Sequence, residues 1–156
     1  MKMKKEHRQL VIVKALVEDK GKILFIRRER PEDKKTHNKW EMPGGKLEFK
    51  EGISECAVRE AKEETGYDIE FVEFVPHIET FVTNYPEWTS HLIFVCCVCR
   101  LKGGYKILDD HGVNRIEWVS AEEAMKLDVQ PKTLEFIEEY LKRAGLTKNF
   151  KTQTPE

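Results

Sequence analysis

Apolar positions along this chain alternate or run together in short blocks, and most of those blocks are too short for helices. Residues 9–19 (QLVIVKALVED) and 22–30 (KILFIRRER) read as two strands joined by a turn at Asp19-Lys20-Gly21. A polar loop (PEDKKTHNK) and a Pro/Gly-containing connection (WEMPGGKLEFKEG) follow. From Ile53 to Thr65 the period changes to that of a helix. Gly52 and Ser54 are start signals, Glu55 is a first-turn acid, and Gly66 is the stop. Residues 67–82 (YDIEFVEFVPHIETFV) return to strand pattern with a bend expected at Pro76. A loop (NYPEWTS), a core strand (HLIFVCCVCRL), a KGG turn and a short strand (NRIEWVS) come next. AEEAMKL and PKTLEFIEEYLKRAGL read as helices, and TKNFKTQTPE as a frayed tail. Strands mixed with a central helix and terminal helices predict an α/β or α+β fold around a mixed sheet.

At 156 residues the chain is long enough for one domain with a substantial core. We expect a single domain over residues 1–156, with about seven N-terminal and about ten C-terminal residues frayed. Lys+Arg number 27 and Asp+Glu 28, so a broad nucleic-acid-binding surface is not expected, whereas a local basic pocket for a small anion is compatible. No apolar run is long enough to span a bilayer. The basic start MKMKKEHRQL leads into a stretch that Lys14 interrupts, without the pattern of a signal peptide, so the expected location is cytoplasmic. Cys96 and Cys99 form a C-x-x-C, but on a strand that odd spacing sends them to opposite faces. They and Cys56 and Cys97 are therefore read as buried small hydrophobes rather than a metal or redox site.

The helix carries three glutamates on its last turns, in the stretch REAKEETG. With Ile53 as reference, Ala57, Glu60 and Glu64 fall within roughly 40°, and Cys56 and Glu63 lie a little to one side. Glu55, Arg59 and Lys62 fall on the other side, as a solvent-facing set does. A stripe that begins apolar and ends in carboxylates points those carboxylates at the protein body or a cleft. Carboxylates so placed need a partner, and hard oxygen ligands suit Mg²⁺ or Mn²⁺.

The spacing extends upstream. Gly45, five residues, Glu51, seven residues, then Arg59-Glu60-Ala61-Lys62-Glu63-Glu64-Thr65-Gly66-Tyr67 resembles the Nudix box, G-x5-E-x7-R-E-U-x-E-E-x-G-U. Ala61 and Tyr67 depart from the bulky aliphatics usual at the two U positions. ILFIRRER with NKWEMPGGKLE, and later SHLIFVCCV and IEWVSAEEAMKL, look like the flanking segments of the MutT-like branch, so the resemblance covers roughly residues 8–143. It implies the Nudix fold, an α/β/α sandwich with a mixed β-sheet and the box as loop-helix-loop.

The resemblance also implies a divalent-metal-dependent hydrolase of a diphosphate linkage in a nucleoside diphosphate joined to a group X. Carried over by position, Glu60, Glu63 and Glu64 are the metal ligands and catalytic acids, and Gly45 adds a backbone carbonyl. Glu60 is the favoured general base. Glu51, Arg59 and Gly66 are structural residues of the box, with Arg59 either solvated or paired to Glu51. Arg28, or its neighbour Arg27, is the candidate phosphate contact. Trp40 is the candidate for stacking on a base, with packing as the alternative; Tyr85, at about the spacing after the box where dinucleoside-polyphosphate members carry a tyrosine, His37 and His91 are further candidate substrate contacts, and Asp128 is a candidate base-edge contact with a helix-end acid as the alternative. The first expected activity is nucleoside triphosphate pyrophosphohydrolysis. The alternatives are hydrolysis of ADP-ribose, nucleotide sugars or dinucleoside polyphosphates, and a non-catalytic nucleotide sensor. The expected partner is a small nucleotide, and the expected state is a monomer or homodimer, with Leu134, Phe136, Ile137, Tyr140 and Leu141 serving a core or an interface.

Overall fold

A computed structural model describes residues 4–108 and 112–145. Among these, the elements are β1 (Glu6–Asp19), β2 (Lys22–Arg28), β3 (Trp40–Glu41), β4 (Gly44–Lys46), α1 (Ile53–Thr65), β5 (Tyr67–Asn84), β6 (Trp88–Gly104), β7 (Val113–Ser120), α2 (Ala121–Ala124) and α3 (Thr133–Arg143). The strands form one mixed sheet. β1 runs parallel to β6 from Glu6↔Trp88 to Glu18↔Arg100, and β5 closes the far edge antiparallel to β6. The fold is that of the expected mixed-sheet sandwich.

A fork in this sheet positions the site. β1 and β2 pair only at Glu18↔Ile23 and Asp19↔Lys22, beside their turn. Beyond that β4 pairs with β1 at Ile12–Lys14, while β3 pairs with β2 at Ile26 and Arg27. Met42 and Pro43 therefore carry the chain across the fork from one strand to the other. Alternation along the strands fills both faces. Val13, Ala15, Val17, Leu24 and Ile26 pack with Cys56, Ala57 and Ala61 of α1. Leu16, Ile23 and Phe25 pack with Phe136, Ile137 and Leu141 of α3. The apolar residues of the last helix thus serve a core.

Several boundaries differ from the sequence reading. The Pro/Gly connection holds two short strands, β3 and β4, because each finds an open edge at the fork. Glu6 and His7 are not frayed; they pair with Trp88 and Thr89. The loop between β5 and β6 shrinks to residues 85–87, and the expected KGG turn belongs to the end of β6. AEEAMKL is helical only through Ala124, held at its start by a capping box between Ser120 and Glu123. The bend expected at Pro76 is a break in register between Phe74 and Ile78. Cys97 and Cys99 lie in the α1-side core and Cys96 in the α3-side core, as the odd spacing requires. No helix among the described residues is long and apolar enough to cross a membrane. The C-terminal tail expected to fray lies outside the described residues.

Candidate active site

The site begins where α1 meets the β4 loop. Gly66 ends the helix at φ 82°, donating its N–H to Lys62 O, a left-handed stop that glycine adopts without strain. Gly45 sits against the helix face: a Cβ built there lies 2.5 Å from the Glu60 carboxylate. Glycine is needed at this position for close approach, not for its φ.

By helical angle alone Arg59 belongs with the solvent-facing residues. Instead its long side chain folds back over the acids. Nε and Nη2 donate to the two oxygens of Glu51 at 2.6 and 2.9 Å, a bidentate pair joining loop to helix. Nη1 donates to Glu60 Oε1 at 2.9 Å and to Glu63 Oε2 at 3.2 Å. Arg59 itself is held charged, its pKa raised by the Glu51 hydrogen bonds, and the same bonds hold the Glu51 carboxyl down to about 2. One guanidinium thus relieves the like-charge repulsion of Glu60 and Glu63.

Glu64 is relieved differently. It is buried, accepts a hydrogen bond from the Gly44 N–H at 2.8 Å, and is ion-paired with Arg28. Arg28 also reaches Glu41 at 3.5 Å. Glu41 is 1% exposed and ringed by cations, with Arg30 at 3.3 Å and Lys14 at 3.7 Å. Burial pushes the Glu41 carboxyl up, but Lys14, Arg30 and Arg28 together outweigh it and hold its pKa below the usual range. For Lys14 burial dominates and its pKa falls.

The candidate residues therefore separate. Glu51, Arg59, Glu60 and Glu63 form one connected group, and Arg28 joins Glu64 to the fork. Arg27, one residue away, takes the opposite face, donating to Asn114 Oδ1 and lying 5.6 Å from the Trp40 ring. Arg115 lies at the same distance from that ring, and Trp40 packs on the α3-side core, away from the carboxylates. Tyr85 is not brought to the site. Its ring lies 5.1 Å from that of Trp88, seven residues and roughly 23 Å along the sheet from Ile78, which the register sets level with Val13 and Gly45. His37 accepts from the Arg30 N–H, His91 meets Gln9, and Asp128 pairs with Lys39 at the surface. The sequence reading missed Lys14, Arg30 and Glu41 as site neighbours; the one available signal was a lysine inside an apolar strand.

Among the described residues, no three His, Cys, Asp or Glu side chains gather closely enough to hold a metal ion. Arg59 pairs with Glu60 and Glu63, and Arg28 with Glu64. The donor chemistry nonetheless suits a hard divalent ion, being carboxylate oxygens beside a glycine backbone with no Cβ to fill the space at Glu60.

A model of the NUDIX domain matches residues 6–140. The chain is 26% identical to the CTP pyrophosphohydrolase of Escherichia coli, over 86% of this chain and 93% of that protein. It is 30% identical to the putative nudix hydrolase 1 of Caenorhabditis elegans over 76% of its length, but spans only 30% of that longer relative. A solved NUDIX hydrolase from Nitrosomonas europaea superposes with a TM-score of 0.70 at 24% identity, covering 88% of this chain and 90% of that one.

Proposed function

The chain belongs to the Nudix family, and from that premise we propose that it cleaves a nucleoside triphosphate to the monophosphate and pyrophosphate, with Mg²⁺ or Mn²⁺. The observation that carries this reading is the Arg59 bridge, which binds Glu51 of the loop to Glu60 and Glu63 of the helix beside Gly45. The Escherichia coli relative, matched over nearly its whole length, is named for cleavage of such a substrate, CTP.

Glu60, Glu63 and Glu64 with the Gly45 carbonyl hold the ion in this proposal. When bound, the ion neutralises charge along the diphosphate and activates the attacking water. Glu60 takes the water's proton at Oε2, since Oε1 is engaged by Arg59. Arg28, next to Glu64, turns its guanidinium to a phosphate oxygen, where bidentate donors match the anion.

The test is Mg²⁺-dependent hydrolysis of a panel of canonical and oxidised nucleoside triphosphates, ADP-ribose, nucleotide sugars and dinucleoside polyphosphates, with products separated by chromatography. Pyrophosphate release that is nearly abolished in Glu64→Gln, with circular dichroism unchanged, is the expected result. A nucleoside monophosphate with a sugar phosphate indicates a nucleotide-sugar or ADP-ribose hydrolase, two nucleotides that share all the substrate's phosphates indicate a dinucleoside polyphosphate hydrolase, and tight binding without cleavage indicates a sensor.

A further inference from the structure

The sheet outgrows its helix. α1 has 13 residues and is about 20 Å long, whereas β5 and β6 have 18 and 17 residues and run for roughly 55–60 Å. α1 packs on Val13, Ala15 and Cys97, and the strands continue past Val13 toward the β5–β6 turn. There the register sets Ile78 level with Val95 and Val13, Thr80 with Ile93 and Val11, and Val82 with His91 and Gln9. Residues directly opposite one another point to the same face, so this set lies on the α1 side. Ile78 is 65% exposed, Val82 53% and Phe74, level with Cys97, 46%. Val58 of α1 and Phe71 share a shallow hollow that continues the strip along the helix.

The strip is also uncharged. Among the described residues of these three strands, the α1-side positions from Val13 to the turn hold no Asp, Glu, Lys or Arg, and His7 and His91 are their only ionisable side chains. The opposite face of the same stretch carries Glu6, Arg8, Lys14 and Glu79. In a chain that is 35% charged, one bare face beside a charged one marks a surface that is covered. We propose that this strip is a self-association surface that takes a second copy of the chain, face to face across a two-fold axis. A partner chosen by charge finds nothing here to read, whereas a second copy brings an equally uncharged face and meets no like-charge repulsion. Pro76 and the register break between Phe74 and Ile78 interrupt the outer edge of β5, so strand addition at that edge is disfavoured and the face remains. From Phe71 to Val82 the strip is about 40 Å long and two to three strands wide, on the order of 500 Å² in plan. Two copies bury about 1,000 Å², the lower limit for a specific interface, so the dimer is a weak one. Glu60 meets Gly45 of β4, which borders β1 on the side away from β6, so pairing leaves the candidate site open.

The test is sedimentation velocity of the full chain. The wild type is expected to pass from monomer to dimer between about 1 and 100 μM. Ile78→Glu and Val82→Glu each raise the dissociation constant at least about tenfold with circular dichroism unchanged. Tyr105→Glu, at a 74% exposed aromatic beyond the other end of β6, changes it by less than about threefold. Raising NaCl from about 0.05 to 1 M does not weaken the dimer, because no ion pair holds it. A wild type still monomeric at about 200 μM overturns the proposal. So does a dimer that both strip variants leave intact, that Tyr105→Glu weakens equally, or that dissolves in salt. A monomer that pairs only on Phe150→Ser assigns the strip to the chain's own C-terminal segment and overturns it as well. If one strip variant fails to fold, the other decides.

Discussion

Gly44 and Gly45 are chain neighbours, yet an added methyl is expected to act through different physics at each. At Gly45 a Cβ lies 2.5 Å from Cδ and Oε1 of Glu60 and 2.8 Å from Oε2, all at the end of a flexible side chain. Glu60 can swing away, so Gly45→Ala changes stability by less than about 1 kcal/mol. The displaced carboxylate leaves the position from which it acts, and a misplacement on the order of 1 Å costs roughly 100-fold in turnover. At Gly44 the Cβ lies 2.1 Å from Val13 O and 2.9 Å from Lys14 Cα, both backbone of the central strand. Backbone cannot swing, so β4 must separate from β1, and the cost is about 3 kcal/mol or more. Urea unfolding and steady-state kinetics on both variants decide the matter. A folded Gly45→Ala enzyme with wild-type turnover, or equal destabilisation by the two substitutions, refutes the reasoning.

Glu41→Gln removes the one carboxylate shared by Lys14, Arg28 and Arg30; a buried charge cluster left uncompensated loses about 3–5 kcal/mol, measurable by urea unfolding, and an unchanged midpoint counts against the cluster. Glu51 gives a pH signature. Its folded pKa of about 2 lies below the ordinary 4.5, so its contribution is complete above pH 4.5 and is lost as pH falls toward 2. Between those values the stability of Glu51→Gln should depend less steeply on pH than that of the wild type, and parallel curves contradict the assignment.

Much of the fold was legible because it is local. The alternation of β1, β2 and β6 and the helical stripe of α1 need only neighbouring residues to be read. β3 and β4 were not legible, since two- and three-residue strands are defined by the edges they meet, and only the tertiary fork supplies those edges. The end of α2 was hidden for a similar reason: the pattern AEEAMKL continues as a helix, but the chain turns after Ala124 and its next residues run back beside Trp40, whose N–H bonds Asp128 O.

The same division runs through the site and explains what the spacing of acids can and cannot reveal. Glu60 and Glu63 are neutralised from within the box by Arg59, one and four positions away, which a loop acid eight positions before it holds in place, so their arrangement is written in consecutive sequence. Glu64 is neutralised by Arg28 from a strand on the other side of the connection, and Arg28 in turn answers to Glu41 and, through it, to Lys14. No periodicity links residues 14, 28, 41 and 64. A lysine inside an apolar strand is therefore the sequence-level trace of a contact made elsewhere, because a charge of that kind survives burial only where the fold supplies its counterion. The part of the network that ties Glu60 and Glu63 to the loop is thus local, whereas the part that holds Glu64 exists only once the sheet is folded.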